Sequence, residues 1–301
     1  MHALELIFTS GFFANGPVRT ALVVAGGAAI VGAVVGVFTV MRGQSFAGHA
    51  LADVSSAGGS ASFLLGVSPF FGFLGMSALA AAGMQWSDAR DDRERDLLTG
   101  VMLGVGLGLT ALFLYFDTVT ASTTGAAIAV LFGSMFTIPA SIVPAALAVA
   151  VVALAAIAAI YRPLLLSALS EDLAQAQGAR VRLIGLVHAL ALAFAVSLSA
   201  MTVGAVLSTA LLIGPAAAAL RLADRPGHAL ALAIAIGLAA TWGGIWLAYD
   251  SFYWTPGHGW PVSFFIVTLI FFAYLLASLA SLGFARDLRQ RVTPECGCEQ
   301  S

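Results

Sequence analysis

Two ionisable residues, His49 and Asp53, lie four positions apart in an otherwise apolar part of the chain. Residues at this spacing are one turn apart on the same face of an α-helix. An imidazole and a carboxylate on one face can bind a single ion, and such mixed ligands suit divalent zinc, manganese or iron better than Cu(I), which prefers soft thiolates. The other interpretation is a hydrogen bond that ties two helices together, and the residues alone leave both open.

We call His49 and Asp53 the metal pair, after the first of these interpretations. The segment that carries the pair, 46–66, contains no other ionisable residue and has the length of a membrane span. Ionisable groups inside a membrane are costly, and they normally face the interior of a helix bundle or a path for ions. Small polar residues follow the pair and could narrow or hydrate such a path: Ser55, Ser56, Ser60 and Ser62. The metal pair is therefore the first candidate for a site through which an ion passes.

The rest of the chain supplies the helices that must position the pair. Hydrophobic residues make up 60% of the sequence and charged residues 9%, whereas soluble domains are about 25% charged. We therefore predict an all-α protein, a polytopic integral membrane helical bundle with eight or nine transmembrane helices in the lipid bilayer. The apolar runs are 20–41, 46–66, 69–86, 97–116, 140–160, 183–200, 203–220, 228–249 and 262–284. The region 118–139 stays unassigned between a re-entrant piece and a short helix.

Arginines predict the orientation in the membrane, since basic residues concentrate in short cytoplasmic loops. The arginines after alternate spans would all be cytoplasmic, and the loops between them, 117–124 and 250–260, contain none. This predicts a cytoplasmic C-terminus and, with nine spans, an outer N-terminus, with Arg19 as the exception. The cytoplasmic arginines are Arg42, Arg90, Arg93, Arg95, Arg162, Arg180, Arg182, Arg221, Arg225, Arg286, Arg289 and Arg291.

All thirteen basic side chains are arginines, so the chain contains no lysine. A Walker A loop needs a lysine to reach the nucleotide phosphates, and Schiff-base chemistry needs one as well. The chain is therefore predicted not to be a P-loop ATPase by itself and not to use Schiff-base chemistry. We also expect that it is not an enzyme. A net charge of −2 gives no reason to expect a nucleic-acid partner.

A polar segment at 161–182 is too long for a simple hairpin. We predict a helix of about three turns within it, with Ser167 or Ser170 as N-cap, acidic residues in the first turn and Gly178 at the C-terminal end. A short amphipathic helix on the cytoplasmic side is a candidate for docking a partner. A surface helix with no partner is the other interpretation.

Two features bear on how the helices pack. Gly100, Gly104 and Gly108 form a row of small residues that allows close helix approach, and we expect packing within one bundle more than a dimer seam. Gly214 and Pro215 interrupt an apolar run, which predicts either a kink or a discontinuous helix of the kind that forms transport sites.

Other residues that could do chemistry have simpler explanations. His188 lies in a span, and we expect a hydrogen bond to a neighbouring helix in preference to a role as relay or metal ligand. Cys296 and Cys298 lie in the polar C-terminal tail, where two thiols alone form an incomplete metal site. We expect that tail to be solvated.

Three stretches of the chain resemble a known family. They are VFTVMRGQSFAGHALADVSSAGGSASFLLG at 37–66, SALSEDLAQAQGARV at 167–181 and TVGAVLSTALLIGPAAAALRL at 202–222, with weaker similarity at LFGSM, 131–135. In this order and spacing they resemble the permease subunit of the metal-ion ABC importers, the zinc, manganese and iron type. The resemblance covers nearly the whole chain.

The resemblance implies a homodimeric pore in the bacterial cytoplasmic (inner) membrane, driven by a separate ABC ATPase subunit and supplied by an extracytoplasmic metal-binding protein. The divalent metal ion would be cargo, and no cofactor would be bound permanently. The permease domain would span 1–284, with a coupling helix at about 167–178 and a polar cytoplasmic tail at 285–301. The residues that would dock the ATPase are Ser170, Glu171, Asp172, Ala174 and Gly178.

The resemblance also implies a metal gate on the second span, where the family typically has Asp and then His four residues later. Here the order is reversed, with His49 at the usual Asp position and Asp53 at the usual His position. The family's Leu-Pro-Gly is replaced by Ser56, Ala57 and Gly58. The chain is therefore a divergent relative that keeps both ligand types on one face.

Two other classes of function fit parts of the sequence. An ion-coupled secondary transporter could use the metal pair as a proton or cation relay, although the two halves of the chain show no convincing inverted repeat. An intramembrane hydrolase would need a nucleophile elbow or a strong Ser-His pairing, and the sequence contains neither.

Overall fold

The structure, a computed structural model, describes residues 12–13, 15–86, 92–121, 125–254 and 259–292. Within these residues the chain forms twelve α-helices and no strand. The helices are α1 (Gly16–Met41), α2 (Ser45–Leu64), α3 (Pro69–Trp86), α4 (Asp92–Phe116), α5 (Ala126–Phe132), α6 (Val143–Ala159), α7 (Tyr161–Leu169), α8 (Glu171–Ala176), α9 (Val181–Val203), α10 (Ala205–Leu222), α11 (Pro226–Trp254) and α12 (Val262–Val292).

Each of the nine apolar runs forms a helix, which confirms the predicted all-α membrane bundle. Seven helical segments in the described part of the chain are long and apolar enough to cross a membrane. The two runs outside that set are α2, which carries the metal pair and several serines, and α3, which is only 18 residues long. Neither reaches the apolarity of the seven segments, so composition alone does not mark them as spans.

The centre of the bundle is formed by α1, α2 and α9. The apolar segments of α1 and α9 are 72% and 67% buried by the rest of the chain, against 22% for α4. Helix α1 packs against α6, α9, α10 and α11, while α2 lies between α3 and α4 on one side and α9 and α10 on the other. The helix with the metal pair is therefore surrounded by protein on several sides.

The described residues of the unassigned region 118–139 form several short helical pieces. Helix α4 continues into a π-helical segment, Asp117–Ala121, and α5 follows before two 3₁₀ turns. Helix α5 ends at Gly133 with φ 82° and ψ 161°, and α9 ends at Gly204 with φ 92° and ψ 157°. The two glycines pack back to back, since a Cβ on either would overlap the backbone around the other.

The glycine row of Gly100, Gly104 and Gly108 does not pack within the bundle, contrary to our expectation. A Cβ at any of the three would meet no described atom within 4 Å. Gly106, which lies between them on another face, makes the close approach to α2 instead. The spacing identified residues that share a face, but that face of α4 points away from this chain.

Helices α10 and α12 bear on two further expectations. Helix α10 is continuous through Pro215, so the Gly-Pro pair does not divide it. Helix α12 runs on to Val292, past the predicted domain boundary at 284, which stays a prediction. Cys296 and Cys298 lie outside the described residues.

Candidate metal site and cytoplasmic docking helix

His49 and Asp53 lie on one face of α2, as their spacing predicted. The Nε2 atom of His49 is 3.7 Å from Oδ2 of Asp53. This separation is too long for a hydrogen bond. It is close to the spacing of two atoms that share one metal ion, which for bonds of about 2.1 Å in tetrahedral geometry is about 3.4 Å.

The two members of the pair differ in exposure. Asp53 is 4% exposed, whereas the His49 side chain is 41% exposed on the isolated chain. Oδ2 of Asp53 is buried and has no hydrogen-bond partner within the described part of the chain. A buried carboxylate oxygen without a donor is an acceptor available to a cation. The described part of the chain contains no group of three or more His, Cys, Asp or Glu side chains that could hold a metal ion. The metal pair therefore offers two ligands.

Helix α4 supports the backbone of α2 beside Asp53. A Cβ on Gly106 would stand 2.6 Å from the Val54 nitrogen, so only glycine permits this approach. The Ser56 hydroxyl lies 2.7 Å from the Asp53 carbonyl oxygen and 2.7 Å from the hydroxyl of Thr110. Ser56 therefore gives α2 a polar contact with α4 directly beside the pair.

The pair lies deep in the bundle. Gly48, the neighbour of His49, packs against the side chains of Leu212 and Leu192. Leu192 is the middle residue of α9, a 23-residue helix that spans the bundle. The contact of Gly48 with Leu192 places the pair near the middle of α9 along the bundle.

Sequence reasoning missed one neighbour of the pair. Thr209 on α10 places its hydroxyl 3.0 Å from Nδ1 of His49. It lies 160 positions away along the chain, inside the third stretch that carried the family resemblance. No local pattern could have connected it to His49, because periodicity does not identify which helices are neighbours.

The polar segment at 161–182 folds as two short helices, α7 and α8. Ser170 is the N-cap of α8, and its hydroxyl accepts a hydrogen bond from the Leu173 amide at 3.3 Å. Gly178 follows the helix with φ 80°. The predicted cap and terminator are thus in place. The helix is shorter than the predicted three turns, because the chain is extended at Ser170 and separates α8 from α7.

Glu171 connects α8 to Arg42, in the loop before α2, and to Arg95 on α4. Its Oε1 lies 3.5 Å from the Arg42 guanidinium and 3.9 Å from that of Arg95. Arg42 also donates to the hydroxyl of Ser167 at 3.3 Å. Burial lowers the pKa of Arg42, and Glu171 acts in the opposite direction. The carboxylate therefore stabilises a buried cation in the short loop before α2.

The residues predicted to dock an ATPase divide by exposure. Asp172 and Gly178 are exposed, and Ser170 and Glu171 are partly so, but Ala174 is fully buried. The Ala174 side chain therefore belongs to the packing of α8 and not to its outer face, which corrects its assignment. Two apolar side chains that the sequence did not single out, Leu169 and Leu173, are 73% and 57% exposed.

A cavity of about 1290 Å³ opens beside the docking helix and reaches Leu51 and Leu192 in the bundle. Arginines from three separate parts of the chain line it, which agrees with their predicted location on one side of the membrane. The arginines are Arg42, Arg95, Arg180 and Arg182.

His188 is buried on α9, and its Nε2 atom lies 3.4 Å from the Thr39 hydroxyl of α1. Its expected contact with a neighbouring helix is thus confirmed.

A model of the ABC 3 transport family matches residues 16–280 of the chain. The chain belongs to this family. Among ABC 3 relatives, the manganese transport system membrane protein MntC of Listeria innocua is 26% identical over 282 residues, covering 93% of this chain and 98% of the relative. The high-affinity zinc uptake system membrane protein ZnuB of Haemophilus influenzae is 26% identical over 226 residues, covering 74% and 85%.

The ABC 3 fold is also that of a solved structure. The structure of PsaBC from Streptococcus pneumoniae in complex with Fab matches with a TM-score of 0.76 at 24% sequence identity, covering 92% of this chain and 95% of that one. The predicted resemblance to permeases of metal-ion ABC transporters is therefore confirmed at the level of family and fold.

Proposed function

We propose that the chain is the permease of an ATP-driven importer that carries Mn²⁺ or Zn²⁺ across the bacterial cytoplasmic membrane. The observation that carries this proposal is the metal pair, with His49 Nε2 and Asp53 Oδ2 3.7 Å apart at mid-depth in the bundle. Nitrogen and oxygen ligands suit both metals, and the named relatives transport manganese or take up zinc.

A second copy of the chain is the proposed partner that completes the pore. One chain offers only two ligands among its described residues, and His49 is partly exposed. The outward glycine row of α4 would let another helix approach closely. A homodimer would cover His49 and could bring a second metal pair to the same path.

The separate ATPase is proposed to dock on α8. Ser170 caps this helix, and Glu171 connects it to Arg42 at the start of the metal-bearing helix. The exposed side chains of Leu169 and Leu173 are apolar surface that a partner could bury. A movement of the docking helix driven by ATP would then reach α2 through the loop at Arg42. In this arrangement the C-terminus is cytoplasmic.

The test is metal-stimulated ATP hydrolysis by the permease reconstituted in proteoliposomes with its ATPase and its extracytoplasmic binding protein. We expect Mn²⁺ or Zn²⁺ to raise the hydrolysis rate and to accumulate inside the vesicles, with Fe²⁺ tested alongside. Hydrolysis unaffected by all three metals would count against the proposal. An ion-coupled secondary transporter, the other class that the sequence allowed, would purify without an ATPase.

Leu173→Ala should weaken ATPase association about tenfold, since fully burying a leucine side chain contributes about 1.5–3 kcal/mol. The amount of ATPase that copurifies with the tagged permease measures this. Leu183→Ala is the matched control, because Leu183 is 52% exposed at the start of α9, outside the docking helix. Equal ATPase recovery from both variants would show that α8 is not the docking surface.

A further inference from the structure

The hydroxyl of Thr209 is the polar group that α10 presents to the metal pair. Its Oγ1 lies 3.0 Å from Nδ1 of His49, while the other ring nitrogen, Nε2, points toward Asp53. The imidazole of His49 thus lies between two helices. Its Nδ1 contacts Thr209 on α10, and its Nε2 faces Asp53 on α2. This geometry determines which nitrogen is available for a metal.

A neutral imidazole carries one proton, so one ring nitrogen donates and the other accepts. A metal bound between His49 and Asp53 needs the lone pair of Nε2, which leaves the proton on Nδ1. A threonine hydroxyl has two acceptor lone pairs and can accept a hydrogen bond from this N–H group. Metal-binding histidines almost always donate their second N–H to a hydrogen-bond acceptor, which sets the tautomer and the ring orientation.

The neighbouring hydroxyl has a different role. Ser208, one residue before Thr209, donates to the carbonyl oxygen of Ala205 within its own helix at 2.8 Å. Most buried hydroxyls of this bundle do the same, for example Thr202 with Leu198. Thr209 instead contacts a side chain on another helix. The contact is therefore specific to this position on α10.

We propose that Thr209 is a positioning residue for the metal site. Its hydroxyl accepts a hydrogen bond from the Nδ1–H group of His49 and so holds Nε2 toward the ion shared with Asp53. The proposal rests on the proposed function. It adds α10 to the parts of the chain that determine metal affinity. A rotation of α10 relative to α2 would release the imidazole and weaken metal binding, so helix movement and metal release would be linked at this hydroxyl.

The test compares Thr209→Val, which keeps the shape and removes the hydroxyl, with Thr209→Ser, which keeps the hydroxyl. Both are measured in the assembled permease and ATPase complex as the Mn²⁺ concentration that gives half-maximal uptake into proteoliposomes. Thr209→Val should raise this concentration about 10- to 100-fold, the usual effect of losing such a partner. Thr209→Ser should stay within about threefold of the parent protein, and Ser208→Ala is the matched control.

An unchanged concentration in Thr209→Val would overturn the proposal, and so would a loss in Thr209→Ser equal to that in Thr209→Val, since the methyl group and not the hydroxyl would then matter. If Thr209→Val fails to assemble, Thr209→Ala removes the hydroxyl without a branched side chain and should give the same rise. The parent protein and His49→Ala keep the two proposals apart. Absence of metal uptake by the parent protein contradicts the proposed function, and uptake retained in His49→Ala contradicts the metal pair. Uptake lost in His49→Ala but unaffected in Thr209→Val contradicts only the role of Thr209.

Discussion

Asp53→Ala should abolish Mn²⁺ and Zn²⁺ uptake, and His49→Ala should do the same. Each variant removes one of the two ligands that the chain supplies at mid-depth, and a single remaining side chain cannot hold the ion on the path. Uptake of radioactive metal by proteoliposomes that contain the whole transporter measures this. ATPase association should be unaffected, because α8 is held by its Ser170 cap and by the Arg42–Glu171 ion pair and not by His49 or Asp53.

Asp224→Ala is the matched control for Asp53→Ala, since it removes an exposed carboxylate between α10 and α11. The double variant His49→Asp with Asp53→His restores the order that is typical of the family. It keeps both ligand types on one face and should recover part of the uptake that either alanine variant loses, but not all, because Thr209 would then contact a carboxylate. Unimpaired uptake in both alanine variants would disprove the metal pair as part of the path.

Gly204→Ala should prevent the permease from folding stably. Gly204 has φ 92° and ψ 157°, a conformation that costs other residues about 1–3 kcal/mol. A Cβ there would also overlap the carbonyl oxygen of Leu131 and approach the backbone of Gly133, and overpacking of this kind costs about 1–3 kcal/mol more. The yield of monodisperse protein in detergent and its melting temperature are the measurements.

Gly178→Ala provides the comparison. Gly178 also has a positive φ, 80°, but a Cβ there would have no described atom within 4 Å. Only the backbone strain applies, so this variant should fold and lose about 1–2 kcal/mol. If Gly204→Ala is no less stable than Gly178→Ala, the back-to-back contact of the two glycines does not contribute to the fold.

The sequence predicted the helices well because the membrane imposes one rule on every span: about 20 apolar residues with their backbone hydrogen bonds satisfied internally. The metal pair was predicted for a similar reason, since a separation of four residues within one helix determines which side chains share a face. Local rules of this kind need no knowledge of neighbouring helices.

The predictions that were wrong or missing depended on which helices are neighbours. The glycine row at Gly100, Gly104 and Gly108 has the spacing for close packing, yet Gly106 is the residue that meets α2. Ala174 has the spacing of the docking motif, yet its side chain is buried. Thr209 shows no pattern of its own and gains its significance from a contact with His49. In each case the missing information was the identity of the adjacent surface.

The modest apolarity of α2 has a consequence for how the protein is made. A carboxylic side chain near the centre of a helix opposes insertion from the translocon by about 2.5–3.5 kcal/mol, and α2 also carries serines along its length. Its partners α4, α9 and α10 are synthesised later. When α2 is synthesised, only α1 among its neighbours precedes it, so its burial is completed only after the later helices have followed.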